Sequence, residues 1–336
     1  MYLEIFFLLL LTFFSYRIFT KVAKRLNLVD FPNSRSSHSI PTLRGFGVVI
    51  FISIGITLAV FKPSELIDKS YLLSSILLIG LLGMVDDIKS TPPFIKIATL
   101  ILAYSFLYAE GFLIINLGVF LGFNLELNII ISIVFSALAI AAFTNAFNLI
   151  DGLDGIAGLN AIIIFSSFFI IGIINNDQLL TTISILFITS LSVFIFYNWH
   201  PARIFLGDSG SLMIGFVISI LGVRSLNYIE PISIIYITSV PIIDAMYVTF
   251  RRVLEGKSPF HADKFHCHHI LLSRMDGNVK KTVISITIFQ LISSLIGVLV
   301  VANISDSFIA LLTFLLVFFV IFKILNRLKM SNSYNI

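Results

Sequence analysis

Charge is scarce in this chain. Asp, Glu, Lys and Arg make up 12% of its 336 residues, while 58% of positions are hydrophobic. That is about half the charge of an ordinary soluble domain, and the apolar runs are too long for buried core helices, which excludes a soluble globular fold. Cysteine is almost absent as well. Cys267 stands alone, so no disulfide within the chain can form and cysteine usage leaves the redox compartment undetermined. No polar stretch is long enough to fold separately, which leaves one membrane domain over residues 1–329 and a short cytoplasmic tail at 330–336. The first apolar run, residues 2–20, carries Glu4 in place of a basic start, lacks a small-residue cleavage site and leads straight into further spans. It reads as the first helix and not as a cleaved signal.

What the chain does have is repeated apolar length. A span needs about 20 mainly apolar residues to cross roughly 30 Å of hydrocarbon. Such runs fall at 3–20, 46–62, 71–85, 95–109, 127–147, 156–174, 179–197, 211–223, 231–250, 281–302 and 306–326. The expected fold class is therefore all-α, a polytopic integral membrane protein of 10–11 transmembrane helices with a cytoplasmic-facing active-site cleft. The Gly-flanked run 111–123 reads as part of an external loop, or as an interfacial or re-entrant piece.

Threading the chain through these spans sorts its basic residues. Of the 22 Lys and Arg, only Lys62, Lys69 and Arg224 fall on one side; Arg17 and Lys96 sit inside helix ends, where long side chains can snorkel out, and the other seventeen share the opposite side. Cytoplasmic loops collect Lys and Arg, so that side is cytoplasmic, with the N-terminus outside and the C-terminus inside. The bias fixes orientation alone. It does not explain why the acidic and histidine clusters occupy the same side, in loops at about 21–45, 86–94, 148–155, 198–210 and 251–280.

Each cluster has a chemical reading and a plainer one. Asp86 and Asp87 close the third span, and adjacent carboxylates repel, which invites a metal or a proton; acidic residues also mark the water boundary of spans. Asn148, Asp151 and Asp154 recur every third residue beside Gly152 and Gly155, which would set three polar groups on one face with room for a bulky anion, against the alternative of a Gly-rich turn. Asp208, between Gly207 and Ser209, suits a hard oxygen ligand for Mg²⁺ at the start of a helix whose N–H groups favour phosphate, against simple capping by Ser209 or Ser211. His261, His266, His268 and His269 lie within nine residues, together with Cys267 and basic neighbours. Their spacing is not the usual zinc pattern and there is no second Cys, so an anionic substrate fits them better than a cation.

The motifs, in order, are Asp30-Phe-Pro32 leading to Arg35, His38, Pro41, Thr42, Arg44 and Gly45; Asp86-Asp87; Asn145 with Asn148, Asp151, Gly152, Asp154 and Gly155; Asn198 with Pro201, Phe205, Gly207, Asp208 and Gly210; and Ser258-Pro259-Phe260 with Asp263, His266, His268 and His269. In this set the chain resembles the polyprenyl-phosphate N-acetylhexosamine-1-phosphate transferases, the MraY, WecA and WbpL types, from about Leu28 to Leu272. It looks closest to members that initiate O-antigen or other surface polysaccharide. The resemblance implies transfer of an N-acetylhexosamine-1-phosphate from a UDP-N-acetyl sugar to undecaprenyl phosphate, with release of UMP. The implied cofactor is Mg²⁺, with Mn²⁺ as a substitute. By the same resemblance Asp208 and Asp151 are metal ligands; Asn148, Asp151 and Asp154 position metal, pyrophosphate and nucleoside; and Asp86 and Asp87 bind or deprotonate the lipid phosphate. His266, His268 and His269 close over the diphosphate, Arg44 and Lys96 are cationic clamps, and Asn198 and Asp263 bind substrate. Expected partners are the UDP-sugar, undecaprenyl phosphate, the bacterial plasma membrane and a second copy in a homodimer, with no nucleic acid. Phe46 and Ser36 depart from the residues common in relatives, glycine and lysine, and leave open which of UDP-GlcNAc, UDP-FucNAc, UDP-QuiNAc or UDP-GalNAc is used. The competing readings are the phospho-N-acetylmuramoyl-pentapeptide transferase of peptidoglycan synthesis and, in another class, a secondary transporter. A transporter would place ionisable groups near the midplane of broken helices, and only Asp244 stands well inside a span.

Overall fold

The computed structural model describes residues 2–26, 28–32, 40–258, 265–303 and 306–333. Its helices, in chain order, are α1 (Tyr2–Arg25), α2 (Gly47–Phe61), α3 (Pro63–Asp68), α4 (Ser70–Ile88), α5 (Pro93–Ser105), α6 (Ile129–Leu149), α7 (Ile156–Ile174), α8 (Gln178–Asn198), α9 (Asp208–Ser225), α10 (Pro231–Ile237), α11 (Ser239–Leu254), α12 (Cys267–Arg274), α13 (Val279–Leu299) and α14 (Ser307–Ser333). Two short antiparallel pairs join them: β1 (Val29–Asp30) with β2 (Thr42–Leu43), and β3 (Asn116–Phe120) with β4 (Phe123–Glu126).

Among the described residues nine helices are long and apolar enough to cross a membrane, which makes the protein an all-α polytopic membrane protein. Two expected spans differ from simple rods. The run 46–62 forms α2, 15 residues long. The run 231–250 is broken at Thr238, where α10 and α11 meet at 88°. The run 111–123 carries β3 and the turn of the β3–β4 hairpin. Leu121 and Gly122 form its two-residue turn, both at positive φ as such a tight turn requires. Helix α14 continues through Ser333, so the tail expected from 330 is helical over its first residues.

Helix α9 lies at the centre, buried along almost its whole length and packed by α4, α6, α7 and α2. Two glycines let its neighbours come close. A Cβ on Gly47 of α2 would fall 2.2 Å from the Gly210 Cα, and one on Gly83 of α4 would fall 2.4 Å from the Ser209 Cα. The N-terminal turn of α9 is thus held between two helices at backbone contact, and the polar clusters converge on this turn.

Candidate active site

The first amides of α9 have no partners within the helix. Asp87, on the last turn of α4, supplies them. Its Oδ1 accepts from the Asp208 N–H at 2.9 Å and its Oδ2 from the Ser209 N–H at 3.1 Å, with the side chain buried. A negative charge there also meets the positive end of the α9 dipole. The Arg44 guanidinium, beyond the β1–β2 pair, donates to the main-chain oxygen of Asp87. Asp86 turns the other way. Its Oδ1 accepts from the backbone N–H and hydroxyl of Thr91 at 2.5 and 2.6 Å, and its Oδ2 from the Lys96 ammonium at 2.5 Å. The two carboxylates therefore engage different sets of donors.

Lys96, on the first turn of α5, also reaches Asp208, 3.5 Å from its Oδ2. Asn148, on the last turn of α6, donates through Nδ2 to Asp208 Oδ1 and to Ser211 Oγ, both at 2.7 Å. Four helices, α4, α5, α6 and α9, so place Asp86, Asp87, Lys96, Asn148 and Asp208 in one connected group, and Asp208 is still partly exposed within it.

The loop between α6 and α7 carries the remaining acids, and they are not equivalent. Asp154 is buried, and its Oδ2 receives His200 Nδ1 at 2.6 Å and the Ala202 N–H at 3.0 Å. It holds the loop after α8. Asn198 does the same in reverse: Oδ1 accepts from the Gly155 N–H and Nδ2 donates to the Ile204 carbonyl, both at 2.8 Å, so both amide atoms are engaged by the protein's own backbone. Asp151 differs from all of these. Among the described residues its carboxylate makes no hydrogen bond or ion pair, and burial together with the neighbouring carboxylates of Asp208, Asp87 and Asp154 pushes its pKa up to about 7.

His266, His268 and His269 sit at the start of α12 in mutual contact: the rings of His268 and His269 are 4.2 Å apart, and those of His266 and His268 5.6 Å. His268 is buried, and burial holds its pKa down at about 3, so the ring is neutral. Its Nε2 faces the backbone of Gly152, which joins the histidine segment to the Asp151 loop. Asp263, expected to bind substrate, lies outside the described residues, as do Arg35, Ser36 and His38. His200, Thr91 and Asp244 take part in these networks without having been given a role from sequence. Asp244 alone had a signal, as an acid well inside an apolar run.

No group of three or more His, Cys, Asp or Glu is arranged to hold a metal ion among the described residues. Asp151, unpartnered, and Asp208, partly exposed, are the carboxylates that could contribute to one. Mg²⁺ characteristically takes one or two carboxylates and completes its shell with water and substrate phosphates, so the donor set fits that ion and not a cage built from protein ligands alone. The carboxylate repulsion that raises Asp151 is what a bound cation would relieve.

A model of the family described as glycosyl transferase family 4 matches residues 70–226. A probable undecaprenyl-phosphate N-acetylglucosaminyl 1-phosphate transferase of Bacillus subtilis (strain 168) is 32% identical over 264 residues, 76% of this chain and 73% of that protein. The chain belongs to glycosyl transferase family 4. Other relatives in the family are a decaprenyl-phosphate N-acetylglucosaminephosphotransferase of Mycobacterium tuberculosis (strain ATCC 25618 / H37Rv), 30% identical over 301 residues covering 78% of this chain and 73% of its own, and an undecaprenyl-phosphate alpha-N-acetylglucosaminyl 1-phosphate transferase of Escherichia coli (strain K12), 27% identical over 321 residues covering 89% and 84%. The segment matched by the family 4 model runs from α4 to α9 and carries every acid of the connected group, whereas the histidine segment lies beyond it.

Proposed function

We propose that the protein transfers N-acetylglucosamine-1-phosphate from UDP-N-acetylglucosamine to undecaprenyl phosphate at the inner face of a bacterial plasma membrane, with its N-terminus outside. An oxygen of the lipid phosphate forms a bond to the sugar-bearing phosphorus as the bond from that phosphorus to the UMP oxygen breaks, giving undecaprenyl-diphospho-N-acetylglucosamine and UMP. The observation that carries the reading is the convergence of Asp86, Asp87, Lys96, Asn148 and Asp208 on the N-terminal turn of α9. The sugar is taken from the names of the relatives above.

Phosphoryl transfer asks mainly for position and charge neutralisation, and the chain's own groups supply both. Lys96 brings an ammonium to the centre of the site, and Asn148 fixes the carboxylate of Asp208 beside it. A phosphate monoester has its second pKa near 6, so at neutral pH the acceptor oxygen is already an anion and needs no base. Asp86 and Asp87 match that demand, because each is held by donors of the protein and acts on the geometry of α9, α5 and the loop that joins α4 to α5. The attack is accordingly direct, without a covalent enzyme intermediate. Mg²⁺, held by Asp151 and Asp208 and replaceable by Mn²⁺, would neutralise charge on the diphosphate when bound.

An apolar cavity of about 450 Å³ supports a lipid acceptor. It runs between β3, α6, α9 and the broken pair α10–α11, and reaches Phe143 and Ala146 one turn before Asn148. The transporter reading loses its main support, since the acid inside the broken span, Asp244, is occupied by partners from the histidine segment. The test is direct. Purified protein with undecaprenyl phosphate and Mg²⁺ should release UMP from UDP-N-acetylglucosamine, should stop on chelation of the metal and should restart when Mg²⁺ is added back. Absence of UMP with every UDP-N-acetyl sugar, alongside an active relative, would overturn the proposal.

A further inference from the structure

Asp244 is 2% exposed on α11, six residues beyond the break at Thr238. An ionised group at such a place is costly unless it is fully partnered. Both partners come from across a loop. His266 Nδ1 lies 2.7 Å from Oδ2, and the backbone N–H of Cys267, the first residue of α12, donates to Oδ1 at 2.7 Å. An ionised carboxylate can only accept, so the His266 nitrogen that meets it, Nδ1, carries a proton. The other charged or titratable groups at this place are the Cys267 thiol, which also hydrogen-bonds with Asp244, His268 and His269 on α12, and Arg251 on α11, whose guanidinium lies over the Phe265 ring at 5.3 Å.

The contact chain continues toward the reacting centre. His266 stacks on His268 at an interplanar angle of 23°. A Cβ on Gly152 would fall 2.3 Å from His268 Nε2, a nitrogen with no hydrogen-bond partner among the described residues. Only glycine leaves room for that ring, and Gly152 follows Asp151 directly.

We propose that Asp244 is a positioning residue of the transfer reaction, holding the Nδ1–H of His266 and with it the plane of the ring that stacks on His268 against Gly152, beside Asp151. The proposal rests on the transferase reading of the histidine segment. Asp244→Asn tests it, because the amide has one accepting oxygen where the carboxylate has two. With its NH₂ group toward His266, the ring must move its proton to Nε2.

The experiment uses the full chain in detergent with ¹⁵N-labelled histidine, the His266 signals being assigned by their loss in His266→Gln. Wild type should show His266 protonated on Nδ1, and Asp244→Asn should show it protonated on Nε2. The variant's kcat should fall by about 10²-fold, the cost of roughly 1 Å of misplacement at a reacting centre, with KM for the UDP-sugar within about threefold. Combined with His266→Gln, Asp244→Asn should cost nothing further, as expected of two residues acting as one unit. Cys267→Pro removes the helix-end bond and the thiol that also meets Asp244 but leaves the bond to His266, at a position where proline is tolerated, and should stay within about tenfold of wild type. A wild-type His266 with Nδ1 unprotonated overturns the proposal even if Asp244→Asn does not fold. So does an Asp244→Asn enzyme with unchanged kcat, an additive double variant, or a Cys267→Pro enzyme as damaged as Asp244→Asn. A wild-type protein inactive with every UDP-sugar would instead overturn the transferase reading, and this proposal with it.

Discussion

Gly83→Ala places one methyl group between α4 and α9. The new carbon would lie 2.4 Å from the Ser209 Cα and 2.5 Å from the Asp208 carbonyl oxygen, whereas ordinary contact begins at 3.4 Å. The two helices must part by about 1 Å, and both contacting groups are backbone, which cannot rotate away. Asp87 stands four residues further along α4, so its bonds to the Asp208 and Ser209 amides, now 2.9 and 3.1 Å, would stretch beyond hydrogen-bond range. Overpacking of this kind costs about 1–3 kcal/mol, and a 1 Å misplacement of reacting groups costs about 10²-fold in rate. Gly80, one turn earlier, is the control, since nothing lies within 4 Å of its Cβ position. There alanine should stabilise by up to about 1 kcal/mol through helix propensity. The assay is thermal melting in detergent together with UMP release. Gly83→Ala should melt lower and turn over about 10²-fold more slowly, while Gly80→Ala should match or exceed wild type in melting and keep its rate. Equal behaviour of the two variants in both measurements would refute the close contact of α4 with the start of α9.

Three further outcomes follow from other residues. Lys96→Met removes the ammonium that lies 2.5 Å from Asp86 and 3.5 Å from Asp208; UMP release should fall by about 10²–10³-fold, and a wild-type rate would remove Lys96 from the site. Asp177, buried at the start of α8, accepts from the Leu180 N–H, Arg224 Nε and Tyr228 hydroxyl at 2.7–2.9 Å, and these donors hold its pKa below the ordinary value despite burial. Its contribution to stability is therefore complete above the unfolded carboxylate pKa of about 3.9 and is lost as pH falls toward the lower folded value; wild type should lose melting temperature across that acid window, and Asp177→Asn should melt lower at neutral pH with a flatter profile. His200→Ala leaves the buried Asp154 carboxylate without its imidazole partner, which should cost about 1–3 kcal/mol, and an unchanged melting temperature would show that the pair contributes nothing.

The convergence of the site was legible because orientation follows from basic residues and because the apolar runs are long. Threading alone put Asp86, Asp151, Asp208 and His266 on one side, and the helix ends at Ile88, Leu149 and the start of α9 do meet. The division of labour among the acids was not legible. The three-residue spacing of Asn148, Asp151 and Asp154 suggests one shared face, but the helix stops at Leu149. Asn148, still within α6, pairs with Asp208, whereas beyond the helix end Asp154 pairs with His200 and Asp151 has no partner among the described residues. Periodicity reports local geometry and cannot show a partner 46 or 60 positions away. The break at Thr238 was hidden for a related reason, since residues on both sides are apolar and carry no glycine, with Pro231 and Pro241 the only hints.

The bonds from Asp87 to the first amides of α9 join residues 121 and 122 positions apart. A ribosome must therefore deliver five more helices to the bilayer after α4 before that carboxylate finds its donors. A nascent or prematurely terminated chain ending short of residue 208 keeps Asp86 with its donors Thr91 and Lys96 but leaves the Asp87 carboxylate without the amides that seat it. Such a fragment would be inert toward the nucleotide sugar, so activity should arise late in biogenesis, only after α9 has slid into its slot between α2 and α4.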